Sequence, residues 1–287
     1  MKQFPQKTGM YLGIRNEIYH QDRTHISKSW LDRIAITPLH LFRYLNEPYE
    51  KTLALILGSA VDCLVFEPNE FDKQFVQGPT DSKRTKVGKE VWEEANRHAN
   101  DTKRDIIEIH NQVNYWDQVH QMAEAIMGNG MMREFLQDGV GQAVFVCQDS
   151  MTGLKKKCKT DTYHKPSNTI VDLKTAVSAS PEEFGRSIAN YRYHVQDAYY
   201  SDIVEEVVGK SPRFLFGVME KPIKDQDADG NMMAFYELPE SERIAGRNTY
   251  QSDLGAIAFA QDNDEWAGYA QQVLTIERPV WAVNRDQ

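Results

Sequence analysis

The chain is poor in what would staple, metallate through sulfur, or anchor it in a bilayer. Its three cysteines, Cys63, Cys147 and Cys158, are odd in number, far apart and without a C-x-x-C pair. That excludes a disulfide framework and a cysteine cage for zinc or an iron–sulfur cluster, and leaves ordinary reduced thiols. No apolar run approaches the ~20 residues of a membrane span. The opening "MKQFPQKTGMYLGIRNEIYH" also lacks an apolar signal core, so a cytoplasmic protein without membrane contact is expected. There is no G-x-x-x-x-G-K-[ST] loop for an ATPase and no G-x-S-x-G elbow for a serine hydrolase. His20 and His25 in "YHQDRTH" match no standard zinc spacing and read as solvated or capping residues. "DQDADGN" (225–231) starts like a calcium loop, but its twelfth position is Tyr236 rather than glutamate, so it reads as a polar hairpin turn.

What is present is a globular composition over 287 residues, 41% apolar and 26% charged, with a net charge of −9. The charge is unevenly spread. Lys83, Arg84, Lys86 and Lys89 form one basic run and Lys155, Lys156, Lys157 and Lys159 another, while the stretch from Asp225 to Glu265 is acidic. Two readings of the basic runs stand: solvated lysine faces, or patches that hold a phosphate backbone in one groove of an otherwise repelling protein.

Along the chain, "HISKSWLDRIAITPLHLFRYL" predicts two short helices broken before Pro38, and "KTLALILGSAVDCLVFEP" a buried helix closed at Pro68. From 80 to 137 the pattern is mostly helical, with breaks near Asp101 and at "GNG" (128–130). "GQAVFVCQDSMTGLKKKCKTDTYHKPSNTIVDLKT" alternates like a strand meander. Helix returns at 180–209, with Ser180 as N-cap and Pro181 in the first turn. "SPRFLFGVMEKP" and "NMMAFYELP" predict two further strands, and a last helix precedes "RPVWAV". The order favours one α/β domain with a mixed central sheet flanked by helices, its helical part at about 1–138 and its sheet and remaining helices at about 139–287.

One hairpin carries the chemistry. With strands at 155–163 and 169–175 turning through Lys165 to Asn168, Tyr163 pairs with Ile170 and Asp161 faces Asp172, ~5 Å apart between Cβ atoms. Lys174, two residues on, falls on the same face, beside Asp172 and opposite Lys159. Facing carboxylates repel, and a divalent cation such as Mg²⁺ offsets that with oxygen ligands, waters and substrate phosphate. The alternative is a solvent-facing hairpin with a surface Asp–Lys pair of little energetic weight.

Asp161, ten residues, then "DLK" is similar to the D…(D/E)-x-K core of the PD-(D/E)XK nuclease superfamily. "EIYHQDRTHISKSWLDRIAITP", "LGSAVDCLVFEP", "YRYHVQDAYYSDIV", "DEWAGY" and "RPVWA" fall in the order of the RecE-type exonuclease VIII family, and the chain resembles that family over nearly its whole length. The resemblance implies a PD-(D/E)XK fold and Mg²⁺-dependent (or Mn²⁺-dependent) 5′ to 3′ digestion of linear double-stranded DNA. It also implies a homo-oligomeric ring and a single-strand annealing partner. It makes Asp161, Asp172 and the Leu173 backbone carbonyl metal ligands, Lys174 the residue that positions or activates the water, and Gln196 with Tyr200 a Q-x-x-x-Y element. Gln196 and Tyr200 share a helix face, with Tyr193 beside them. Two positions depart from the pattern: Asp62 stands where a histidine is usual in "GSAVD", and Gln142 where a metal-binding glutamate is expected. Asp62 keeps an oxygen donor. Gln142 is neutral, which leaves a second reading open: a degenerate module that binds DNA ends or a partner without cleaving.

Overall fold

In the computed structural model, which describes residues 4–48, 51–110, 113–222 and 229–277, the apolar alternation of 139–176 becomes the middle of a sheet. The N-terminal half runs β1 (Gly9–Tyr11), α1 (Asn16–Gln21), α2 (Lys28–Ile34), α3 (Pro38–Asn46), α4 (Leu53–Phe66), α5 (Phe71–Gln74), β2 (Phe75–Gln77) and α6 (Lys86–Thr102). Short strands β3 (Asp105–Ile107), β4 (Ile109–His110) and β5 (Val113–Asn114) lead to α7 (Tyr115–Gly128) and α8 (Gly130–Gln137). Then come β6 (Gly139–Gln148), β7 (Lys155–His164), β8 (Thr169–Ala176), α9 (Pro181–Asn190), α10 (Tyr193–Val208), β9 (Arg213–Glu220), β10 (Met233–Tyr236) and α11 (Glu240–Asn263).

Side-chain caps decide several helix starts. Thr37, Thr52, Thr85, Asn114, Asn129 and Ser180 each accept the backbone N–H three residues past the cap. The helical reading of 80–137 misses β3 to β5, because strands of two or three residues are too short for alternation to register. The continuous helix expected over 180–209 is instead two, parted at Arg192, whose left-handed φ of 55° no helix interior accepts. The turn at 225–231, mostly, and the "RPVWA" element lie outside the described residues.

The central sheet has the order β1-β6-β7-β8-β9-β10. All neighbours are antiparallel except β8 and β9, which run parallel and are joined by the α9–α10 crossover that parallel pairing demands. One face packs on α2, α10 and α11 through Phe145, Tyr163, Phe214, Phe216, Tyr199 and Leu254. The other packs on α4 and α7 through Val171, Leu173, Leu215, Val61 and Met122.

The second basic run is neither a solvated face nor a phosphate groove. Lys156 is buried and paired with Asp149 at 3.2 Å, and Lys159 donates to Asn16 Oδ1 at 2.7 Å. Lys157, 2% exposed, donates to the Tyr19 carbonyl at 2.6 Å and to the Asp22 carboxylate at 3.0 Å, between the rings of Phe4 and Tyr19. Asp22 in turn takes the His25 ring at 3.0 Å, so His25 is a buried strut rather than a solvated residue. In the first run, Lys83 pairs with Glu108 at 2.5 Å and lies over Trp92.

Removing one member of a buried ion pair leaves the other charge uncompensated. Lys157→Met is therefore expected to destabilise the protein by about 3–5 kcal/mol in urea unfolding, and adding Asp22→Asn to recover part of the loss. A neutral Lys157→Met would mean that the pair does not hold the N-terminal segment on β7.

Candidate active site

The hairpin turns as expected, through Lys165 to Asn168, with Asn168 left-handed at φ 49° and its side chain taking the Tyr163 hydroxyl at 2.8 Å. Tyr163 pairs with Ile170 and Thr162 with Val171, but there the ladder between β7 and β8 ends. The next pair in register is Asp161 with Asp172. Instead of a backbone rung, the Asp161 carboxylate accepts the Leu173 N–H at 2.7 Å. The two carboxylates thus sit at the mouth of a split in the sheet.

Gln142 is the residue of β6 opposite Asp161, between the pairs Gly141–Thr162 and Ala143–Thr160, and that rung too is missing. Its φ of 53° is left-handed in mid-strand, a conformation that costs a non-glycine residue ~1–2 kcal/mol. The face alternation slips there. Val140 and Tyr163 before the slip, and Phe145 and Cys158 after it, all pack toward α10 although five residues separate the members on each strand. Strict alternation would have forbidden this. The expectation that Asp161 shares a simple face with Asp172 and Lys174 is corrected accordingly: Asp161 lies at the slip, its carboxylate bonded to the edge of β8. Lys159 does not meet Lys174; its ammonium turns to Asn16 and the Ile14 carbonyl, with Glu67 at 3.9 Å.

Asp172 is 3% exposed, which removes the solvent-facing hairpin as a reading. Its Oδ1 accepts Gln196 Nε2 at 2.5 Å from α10, and its Oδ2 is paired with the Lys174 ammonium. Lys174, its side chain 20% exposed, sits 4.9 Å from the Tyr193 ring centroid. Burial pulls the Lys174 ammonium down, but Asp172, Tyr193 and Asp161 together hold it above its ordinary value, so it is a cation at neutral pH. Asp62 approaches from α4. Gly58, one turn earlier on α4, faces Thr175 of β8, and the Asp62 carboxyl is pushed well up by burial and then by Asp161. Tyr200 is one turn past Gln196; burial raises its phenol, and its ring stands edge-on to Phe214. No bond joins Tyr200 to the carboxylates among the described residues. Tyr199 is core, its hydroxyl donating to the Ile26 carbonyl at 2.8 Å.

Lys159, in the sequence both a member of the basic run and the residue opposite Lys174, has no assigned role there. Burial lowers its ammonium, and Glu67, Asp161, Cys63 and Asp62 oppose that, which places it beside the acids. Its spacing two before Asp161 was the available signal.

The donor chemistry suits a hard cation. Among the described residues no three His, Cys, Asp or Glu side chains converge closely enough to form a cage. Two carboxylates plus a backbone oxygen match what Mg²⁺ takes from a protein, the remaining positions being water and phosphate. The backbone oxygen is that of Leu173. At the two ends of the β8–β9 pair, Asn168 accepts from Arg213 at 2.9 Å and Ala176 from Lys221 at 2.8 Å, so even-numbered residues of β8 face β9 and Leu173 faces β7. Its carbonyl therefore shares the edge on which its N–H meets Asp161.

The family described as a PDDEXK-like domain of unknown function (DUF3799) matches residues 27–277. The chain belongs to that family. The DUF3799 domain also shares its fold with a solved structure described as "Putative exonuclease" from Eubacterium rectale, at a TM-score of 0.63 and 16% identity, covering 95% of this chain and 98% of that one. A phage related exonuclease from Haemophilus somnus 129PT matches at a TM-score of 0.29 and 12% identity, over 66% of this chain and 91% of the other, too distant to carry an argument. No curated protein matches the domain significantly. No helix among its described residues is long and apolar enough to cross a membrane.

In this DUF3799 domain, burial first and Asp172 second push the Asp161 carboxyl up to about 7, against Lys174 and the Leu173 N–H. A free aspartate titrates near ~3.9. The folded protein therefore holds this proton more tightly than the unfolded chain, and stability falls as pH rises from about 4 through about 7. Asp161→Asn is expected to raise the melting temperature of the EDTA-treated protein at pH 8, with the gain disappearing toward pH 4. A deficit that grows with pH would show that the carboxylate is stabilised where it stands.

Proposed function

We propose that this DUF3799 domain is a metal-dependent exodeoxyribonuclease that digests linear double-stranded DNA. The observation that carries the reading is the Lys174 ammonium held against Asp172 beside a second carboxylate, Asp161, at a split in the sheet. Buried like charges at a sheet opening are costly, and they persist where chemistry uses them. Asp161, Asp172 and the Leu173 carbonyl would hold Mg²⁺ or Mn²⁺, with Asp62 as a further oxygen donor from α4. When bound, such a cation supplies Lewis-acid polarisation of a phosphoryl oxygen and a water acidified toward neutrality.

The chain's own residues do the positioning. Gln196 fixes the Asp172 carboxylate through its amide, and the Leu173 N–H fixes Asp161. Lys174 orients the attacking water by hydrogen bonding and offsets the charge that gathers on the phosphoryl oxygens in the transition state. Its raised pKa suits that electrostatic role better than proton abstraction. Tyr193 keeps the ammonium on the Asp172 side by a cation–π contact. Polarity from 5′ to 3′, processivity through a homo-oligomeric ring and delivery of the remaining strand to an annealing partner rest on the RecE-type resemblance. Gln142 favours a second reading, a module that binds DNA ends without cutting, because a neutral amide stands opposite Asp161 where a carboxylate would add a ligand.

Linear duplex labelled at either end, incubated with Mg²⁺ or with EDTA beside a circular control, tests the proposal. Metal-dependent loss of the 5′ label with the circle intact supports it; retained ends on bound DNA support the non-cutting module. Lys174→Ala and Asp172→Ala are expected to lower digestion by roughly 10²-fold or more while remaining folded by circular dichroism, and full activity in both would sink the site. Gln142→Glu is expected to tighten Mn²⁺ binding by at least about tenfold in calorimetric titration. An unchanged affinity would put residue 142 outside the reach of the ion.

A further inference from the structure

Between α9 and α10 the chain makes a turn that helix propensity does not favour. Arg192 sits at φ 55°, and three acceptors hold it there: its guanidinium donates to the Leu31 carbonyl at 2.8 Å, to Asp32 at 3.4 Å and to Asp253 at 2.5 Å. Lys28 adds a fourth tie, donating to the Tyr191 carbonyl at 3.2 Å while paired with Asp32. A strained residue this well tied fixes the directions of its two neighbours. Tyr193 goes inward over Lys174. Tyr191 goes outward and is 62% exposed.

The two rings remain in contact. Phe216 and Tyr193 stack at 5.5 Å with 29° between their planes, and Tyr193 and Tyr191 lie 5.6 Å apart at 31°. Tyr191 is the solvent end of this column and stands one ring beyond the one that covers Lys174. Lys28 donates to the Tyr191 carbonyl, Arg192 follows Tyr191 in the chain and the Lys174 ammonium lies against the Tyr193 ring, so cations flank the column. An exposed aromatic ring beside cations is what a single-stranded nucleotide uses, the base on the ring and the phosphate near the charges.

We propose that Tyr191 is the stacking platform for an unpaired base next to the scissile phosphate, so that the substrate strand leaves the duplex before it is cut. This rests on the nuclease reading above and adds to it the state of the substrate and the residue that selects it. Stacking of a base on an aromatic side chain is worth ~1–3 kcal/mol, which corresponds to a loss of roughly 5-fold to 150-fold in affinity on truncation.

The test uses the full chain and duplexes that carry 5-iodo-2′-deoxyuridine at the terminal or penultimate position of one strand, bound in EDTA or with Ca²⁺ and irradiated. The cross-linked residue is mapped by mass spectrometry on the wild-type chain, so the readout depends neither on turnover nor on any variant folding. The expected result is a cross-link at Tyr191, kept in Tyr191→Phe and lost in Tyr191→Ala. Alongside it, Tyr191→Ala should raise KM for DNA ends by about tenfold and change kcat much less. Digestion by the wild type with the cross-link elsewhere, and a KM in Tyr191→Ala within twofold, would overturn the platform and leave the nuclease standing. A cross-link at Tyr191 without any digestion would keep the platform and remove the hydrolysis. A wild type that neither binds nor digests DNA would remove both.

Discussion

Two carboxylates that repel each other organise the centre of this molecule. Asp161 and Asp172 lie next in register where β7 and β8 stop pairing, and the surrounding contacts answer the charge one group at a time. The Leu173 N–H bonds one carboxylate; Gln196 and Lys174 bond the other. If the ladder had continued, backbone rungs would have filled the space that these side chains occupy. The missing rung at Gln142 has the same consequence on the other side of Asp161, and the left-handed backbone there is the local cost of turning one strand position away from regular pairing.

The lysines of the chain illustrate how little charge counting says about location. Lys155 to Lys159 read as a basic run, yet Lys156 and Lys157 are buried ion-pair partners and Lys159 sits among acids of the candidate site. Lys174, isolated in the sequence, has the position with chemical consequence, because burial beside two carboxylates keeps its charge and limits its motion. Net charge describes long-range attraction and repulsion, whereas these roles arise within a few ångströms and at low local dielectric.

Much of the fold was legible. The strands of 139–176, the helix broken before Pro38, the Ser180 cap and the Tyr163–Ile170 register follow from alternation, proline geometry and turn chemistry, all local effects. The parallel pairing of β8 with β9, the edge strand β1 and the β2–β3 pair were not legible, since each exists only through a partner distant in the chain, and β4 and β5 are too short for alternation to show. The residues of the candidate site were identified through spacing and family resemblance, and their geometry departs from that expectation in the place that matters. Period-two counting set Asp161 on one face, while the slip at Gln142 moves it to the edge of β8, in electrostatic reach of Asp62 from one helix layer and Asp172 beside the other.

By itself the sequence determined the inventory and the local geometry: two aspartates and a lysine on adjoining strands, a four-residue turn between them, and apolar neighbours that force the hairpin inward. Those outcomes depend on residues close in the chain, where sterics and alternation act directly. Only the tertiary structure decided that the ladder ends at Thr162 and Val171, that Gln196 rather than Tyr200 touches Asp172, and that Arg192 turns one tyrosine over Lys174 and the other toward solvent. Each is a balance between charges and packing surfaces from separate segments, and that balance exists only once the segments meet.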